Sequence, residues 1–183
     1  MLRLLSAFSP SYAQLARAVD RLAVHYLPLV QDQYTTSSST PPEQVIAVLV
    51  STAVDEALLE IALAKLGLTP LLLSVNNSPA AVAHLVEVTT ATHLIYSSKY
   101  LETATIAKDD LANRGISVDI VADQRFPLWG PGGVDDVKIA SFPPRLTPDI
   151  EASRTAVILH SSGSVWVFSV RVEDQRFCRS REP

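Results

Sequence analysis

The spacing of apolar positions changes from segment to segment along the chain, and each change marks an element. Leu15, Val19, Leu22 and Tyr26 recur at three- and four-residue intervals. This predicts a helix from about Ser11 to Tyr26 with one buried face, Ser11 as its cap and Pro28 as its end. Gln31 to Pro42 is polar, rich in Ser and Thr and closed by two prolines, as expected of a surface loop. Val45 to Val50 is a continuous apolar run with β-branched residues, the pattern of a parallel strand buried on both faces. Thr52 or Ser51 can cap a helix over 54–66 that is acidic at its start, through Asp55 and Glu56, and stopped by Gly67. Leu71 to Val75 reads as the next strand. Ser78 and Pro79 pair a cap with a first helical position, opening a helix to about Val88 that turns Val82, Leu85 and Val86 inward. A third strand over His93 to Tyr96, a helix from about Lys99 to Asn113 stopped by Gly115, and a fourth strand over Ile116 to Val121 follow.

Strict alternation of strand and helix with short loops implies right-handed crossovers. The predicted fold class is therefore α/β, doubly wound, with a mostly parallel sheet and helices on both faces. After Ala122 the texture changes: Pro127, Gly130, Pro131, Gly132, Gly133, Pro143, Pro144 and Pro148 punctuate a stretch with little periodicity, read as an irregular connection to about Ser153. Thr155 to His160 is again a buried-type strand, and Val165 to Val172 alternates like another. Glu173 to Pro183 is mostly polar and charged and is expected to fray.

Composition narrows the classes. A chain of 183 residues suffices for one well-buried core, and 48% hydrophobic against 19% charged residues exclude global disorder. Lys+Arg 15 against Asp+Glu 19 gives a net charge of -4, which offers no positive field for nucleic acid. The longest apolar stretch, Ala57 to Val75, is interrupted by Glu60, Lys65 and Pro70, so no membrane span is expected. Met1 to Ala7 is too short for a secretory signal; Arg3, with no acid before Asp20, keeps a mitochondrial presequence as a minor alternative to a cytoplasmic protein. The single cysteine, Cys178, cannot form an internal disulfide and fits a reducing compartment.

One segment carries candidate chemistry. Ala156 to Leu159 would deliver His160-Ser161-Ser162-Gly163-Ser164 at a strand end, where backbone amides and hydroxyls can converge on an anion with no Cβ in the way at the glycine. By itself Ser-Ser-Gly-Ser is also ordinary turn chemistry. Gly130-Pro131-Gly132-Gly133 reads as a solvent loop, because prolines remove amide donors and no helix follows. His25, His84 and His93 have no second ligand at metal spacing, and His84 and His93 fit a helix surface and a strand end. Ser161 or Ser162 beside His160 lacks the Gly-x-Ser-x-Gly turn of a hydrolase, and Cys178 lies in a polar tail. No catalytic residue and no metal ligand is assigned.

Three segments in order carry a family resemblance: Ser11-Tyr12-Ala13-Gln14-Leu15; Leu63 to Ser74 continuing to Asn76-Asn77-Ser78-Pro79; and Ala156 to Ser164. The first looks like the Thr-Tyr-x-Glu-Leu signature of the adenylate-forming, AMP-binding acyl and aminoacyl ligases, the second like that family's helix-to-strand motif, and the third like the strand and first half of its phosphate loop. The chain resembles the amino-terminal part of these enzymes, most closely the carboxylic acid reductases that look like non-ribosomal peptide synthetase adenylation modules. The resemblance implies an ATP-dependent, carboxylate-activating enzyme, with a carboxylic acid and ATP as substrates and Mg as the accompanying ion. It makes Ser161, Ser162, Gly163 and Ser164, with His160 before them, a partial phosphate-binding loop.

The family loop continues Thr-Gly-x-Pro-Lys, whereas this chain reads Val165-Trp166-Val167-Phe168-Ser169. The expected organisation is a partial amino-terminal adenylation domain over 1–164 and a divergent tail over 165–183, either disordered or, since every valine codon begins with GT, translated from an unspliced intron; the competing reading is a real short isoform whose tail closes the sheet. By the resemblance the adenine, ribose and hinge motifs and the catalytic lysine are missing, so the chain is expected to be inactive alone and to self-associate through an exposed sheet edge. The alternative is a non-catalytic α/β module that binds nucleotide or a protein partner.

Overall fold

A computed structural model describes residues 11–30, 42–124, 147–161 and 164–169, with Ser161 and 164–169 described by their backbone. Helix α1 spans Tyr12–Tyr26 and begins with a capping box, in which the Ser11 hydroxyl accepts the Gln14 N–H and the Gln14 side chain accepts the Ser11 N–H. Val19, Leu22 and Tyr26 are buried as the spacing predicts, and Leu15 packs half-buried beside them. Pro28 ends the α-helix without ending the helical path, which tightens into a 3-10 turn over Leu27–Val30.

The sheet follows the predicted alternation. Strand β1 (Val45–Leu49) leads to α2 (Ala53–Lys65), β2 (Thr69–Leu72) to α3 (Pro79–Val88), and β3 (His93–Tyr96) through a 3-10 turn to α4 (Leu101–Asn113) and β4 (Asp119–Ala122). A short helix α5 (Pro148–Ser153) precedes β5 (Thr155–Ser161), and β6 (Ser164–Ser169) closes the described chain. The strand order is β4-β3-β1-β2-β5-β6, with the first five parallel and β6 antiparallel to β5. The architecture is thus the doubly wound α/β fold expected. One apolar core lies between the sheet and α1 with α2, and a second between the opposite face and α3 with α4. Every residue of β1 is buried, because β1 sits between both layers.

Two strands start later or earlier than hydrophobicity predicts, and the helix ends explain both. After α2, Gly67 takes φ 70, its N–H donates to the Ala64 carbonyl, and Leu68 N–H reaches back to Leu63. That turn releases the chain directly into pairing with β1 at Thr69, so β2 includes Thr69 and Pro70 and ends at Leu72 rather than Val75. After α4, the Ile116 N–H donates to Leu111 and Gly115 N–H to Ala112; Ile116 belongs to the helix stop, and β4 begins at Asp119.

Helix α3 ends in the same motif without a glycine. Ala91 N–H donates to Val86, Thr90 N–H to Glu87, and Thr90 holds φ 53, a left-handed conformation that a β-branched residue adopts at a cost. Thr90→Gly is therefore expected to stabilise the fold by about 1 kcal/mol and raise the thermal midpoint by a few degrees, as read by circular dichroism. An unchanged or lowered midpoint would show that this turn is unstrained.

Polar side chains fix the strand starts. The Glu43 carboxylate accepts hydrogen bonds from the Thr69 hydroxyl and the Thr155 N–H, both at 3.1 Å, and so ties β5 beside β2. Asp20, only 1% exposed, is held between α1 and α2 by Lys65. On the other face, the exposed Arg114 bridges Asp110 and Glu87 and links α4 to α3.

Candidate functional site

In a doubly wound sheet, ligands sit beyond the carboxyl ends of the strands, where successive connections leave in opposite directions. Here the chain leaves β1 toward β2 and leaves β3 toward β4, so the topological switch lies between β1 and β3. The protein fills that position with its own groups. Ser97, 2% exposed, donates its hydroxyl to Asp123 Oδ2 at 2.7 Å and accepts the Ser51 N–H at 3.2 Å. Beside it Tyr26 Oη accepts the Gln124 N–H at 3.1 Å. Burial, more than any other cause, pushes the Tyr26 phenol up to about 12; the Asp123 carboxylate adds to the rise and the Gln124 amide offsets part of it.

The open space lies one strand over. A cleft of about 370 Å³ sits above the carboxyl ends of β1, β2 and β5, walled by Val50 to Ala53, by Leu72 to Val75, and by Leu159 and His160, with Glu56 at one side. Thr52 caps α2 there by accepting the Asp55 N–H, as its sequence position predicts. Burial, and after it the neighbouring Glu60, raise the pKa of Glu56 above the usual glutamate value.

His160 enters this cleft at the end of β5, half-buried. Its Nε2 accepts the Ser74 N–H at 3.0 Å, and Asn77 Nδ2 lies 3.1 Å from the same nitrogen. Ser161 is the last residue of β5 and pairs with Ser164, the first of β6. Ser162 and Gly163 lie outside the described residues. The segment singled out from sequence is thus placed at the carboxyl end of a parallel strand that is followed by an antiparallel one. Trp166 and Phe168 stand opposite Leu159 and Val157 in that pairing, so the expected boundary after Ser164 falls inside β6.

The other candidates are placed as follows. His84 lies on the exposed face of α3, and His93 begins β3, where burial lowers its pKa against the opposing pull of Asp119. His25 meets the Tyr26 ring edge-on at 4.8 Å between centroids. Among the described residues, no three His, Cys, Asp or Glu side chains come together as a metal site, so no Mg ligand is assigned. Gly130 to Gly133 and Cys178 lie outside the described residues, as does the loop after Val30 up to residue 41. No described helix is long and apolar enough to cross a membrane. Sequence reading missed Glu56, Ser74 and Asn77 as parts of the site; the signal available was only that each lies within or shortly after a predicted strand.

No protein-family model matches the chain. It is 35% identical over 105 residues to an adenylate-forming reductase, stbB, of Stachybotrys bisbyi, a match covering 57% of this chain and 9% of the relative. In structure it resembles a benzoate CoA ligase from Burkholderia xenovorans LB400 (TM-score 0.59, 16% identity, 90% of this chain and 30% of that one). It also resembles the N-terminal domain of FACL13 from Mycobacterium tuberculosis (0.62, 15%, 86% and 36%) and ATP-bound MatB from Rhodopseudomonas palustris (0.59, 17%, 90% and 30%). At these identities the structural likenesses speak for the fold, and the chain spans about a third of the solved chains and less than a tenth of the curated relative. The chain is thus similar over 105 residues to part of an adenylate-forming reductase, and in fold to parts of a benzoate CoA ligase and MatB and to the N-terminal domain of FACL13.

Proposed function

We propose that this chain is the amino-terminal portion of an ATP-dependent carboxylate-activating enzyme, and that Ser161 to Ser164, after His160, form the first half of its phosphate-binding loop. The observation that carries the proposal is the position of Ser161 at the carboxyl end of β5, beside the cleft over β1 and β2. In the reaction, a carboxylate oxygen forms a bond to the α-phosphorus of ATP while the bond to the β-phosphate bridging oxygen breaks, releasing pyrophosphate and leaving an acyl adenylate. That chemistry rests on in-line positioning and on neutralising phosphate charge. This chain contributes to the second of these by offering loop amides and hydroxyls to phosphate oxygens. Mg would arrive with the nucleotide and supply further charge.

The division into a partial adenylation domain over 1–164 and a divergent tail over 165–183 belongs to the same proposal, as does a cytoplasmic setting, which the lone Cys178 supports. Self-association through β6 is also part of it: this strand ends the described sheet, and Val165 to Phe168 is strongly β-forming, so an unshielded edge there invites pairing. On this reading the chain alone is catalytically incomplete. Purified protein is expected to give no exchange between ATP and pyrophosphate with any carboxylic acid, and to bind ATP no tighter than millimolar. A few neutral hydrogen bonds of about 0.5 to 1.5 kcal/mol each supply no more. Exchange above background, abolished by substituting Ser161 to Ser164, would refute the incompleteness. A micromolar ATP dissociation constant by calorimetry without exchange would favour a non-catalytic nucleotide-binding module instead.

A further inference from the structure

We propose that His160 is a positioning residue, a side-chain latch that holds the end of β5 against the turn after β2 and so sets where the Ser161 to Ser164 loop begins. The inference rests on the phosphate-loop reading for its functional meaning, and on geometry for the latch itself. Backbone pairing between β2 and β5 runs only through Leu71 with Ile158 and Leu72 with Leu159. Beyond it β2 turns away, with Leu73 N–H donating to Val48 on β1 and Asn77 N–H to Ser74 in the following turn. The Ser74 amide has passed the end of the ladder, and the imidazole of His160 takes its hydrogen at 3.0 Å in place of a backbone carbonyl. The latch joins residues 86 positions apart in sequence, and the amide of Asn77 closes on the same ring nitrogen at 3.1 Å.

The chemistry of the donor decides the state of the ring. A backbone amide offers only a hydrogen, so Nε2 presents its lone pair and the neutral ring carries its proton on Nδ1. While latched, Nε2 has no hydrogen to give to a phosphate oxygen. Through this nitrogen His160 acts on the residues that follow it in the chain and not on the ligand, which changes the role that its place in the motif suggested. Glutamine can restore the acceptor, through Oε1, at similar reach; leucine keeps the bulk and removes it.

The test uses the full chain labelled with nitrogen-15. Long-range spectra of the wild-type ring are expected to show the proton on Nδ1. His160→Leu is expected to speed exchange of the Ser74 amide by about tenfold, the scale of one lost hydrogen bond. It should also shrink the shifts that Mg-ATP induces in the Ser161 to Ser164 amides, whereas His160→Gln keeps both readouts near wild type. A proton on Nε2, or Ser74 exchange unchanged in His160→Leu, overturns the latch; so does glutamine failing as completely as leucine. If Mg-ATP moves no loop amide in the wild type, the nucleotide reading fails, while the ring tautomer and Ser74 exchange still decide the latch. The tautomer needs no variant, so poor folding of His160→Leu leaves the proposal open to refutation.

Discussion

Leu63→Ala and Leu111→Ala are each expected to lower stability by about 3 kcal/mol, the usual scale for truncating a buried leucine where the surroundings close up only partly. Leu63 on α2 is 0% exposed and Leu111 on α4 is 1% exposed, and they belong to the cores on opposite faces of the sheet. They share no packing partner across the strands, so the double variant should lose the sum of the two, within a few tenths of a kcal/mol. Urea unfolding of the two single variants and the double variant measures this. Strong non-additivity would mean that the layers are coupled through the sheet, and that the two-core description is wrong. A smaller loss at Leu111 alone would show that α4 docks more loosely than α2.

Much of the fold was legible because local chemistry and burial agree. Ser78 and Pro79 open α3 where their cap and first-position preferences place it, and the β3 range His93–Tyr96 matches its apolar run. The legible helix stops were those marked by glycine or proline, at Gly67, Gly115 and Pro28. Thr90 was not legible, because nothing in a threonine announces a left-handed turn; the strand register around it forces one. β2 was read as starting two residues late, since Pro70 reads as a breaker, and as ending three residues late. In place, Thr69 and Leu73 donate toward β1, and Pro70 precedes the first pair with β5, so its missing N–H removes no rung.

The site was legible in part, for a different reason. The strand and the small polar residues after it announce a strand-end loop, and the sheet order brings that loop beside β2. What sequence could not supply is which neighbouring turn meets it. Ser74, Asn77 and Glu56 enter only because β5 is inserted next to β2 rather than beyond β4, a pairing of Leu71 with Ile158 and Leu72 with Leu159 that no local pattern encodes. The switch-point rule, applied to sequence order alone, would have placed the ligand between β1 and β3, where Ser97 and Asp123 already occupy the space.

Raising the pH from about 10 to about 12 is expected to remove about 2 to 3 kcal/mol of stability through one residue, Tyr26. Its phenol is 2% exposed and its pKa is pushed up to about 12. The unfolded chain releases the same proton near pH 10, so the folded state holds it more tightly. The stabilisation is fully present below the unfolded value and is lost as pH climbs through the folded one. Tyr26→Phe isolates the effect from the lysines that titrate nearby in pH. At pH 8 the variant should be less stable by about 1 kcal/mol, because the Gln124 N–H loses its acceptor. As pH rises the wild type loses its advantage and the variant does not, so the two stability curves from urea unfolding should converge and then cross before pH 12. A constant difference between pH 9 and 12 would mean that Tyr26 ionises in the folded state as freely as in the unfolded chain. The seal formed at the β1 and β3 strand ends by Tyr26, Ser97 and Asp123 would then be open to water.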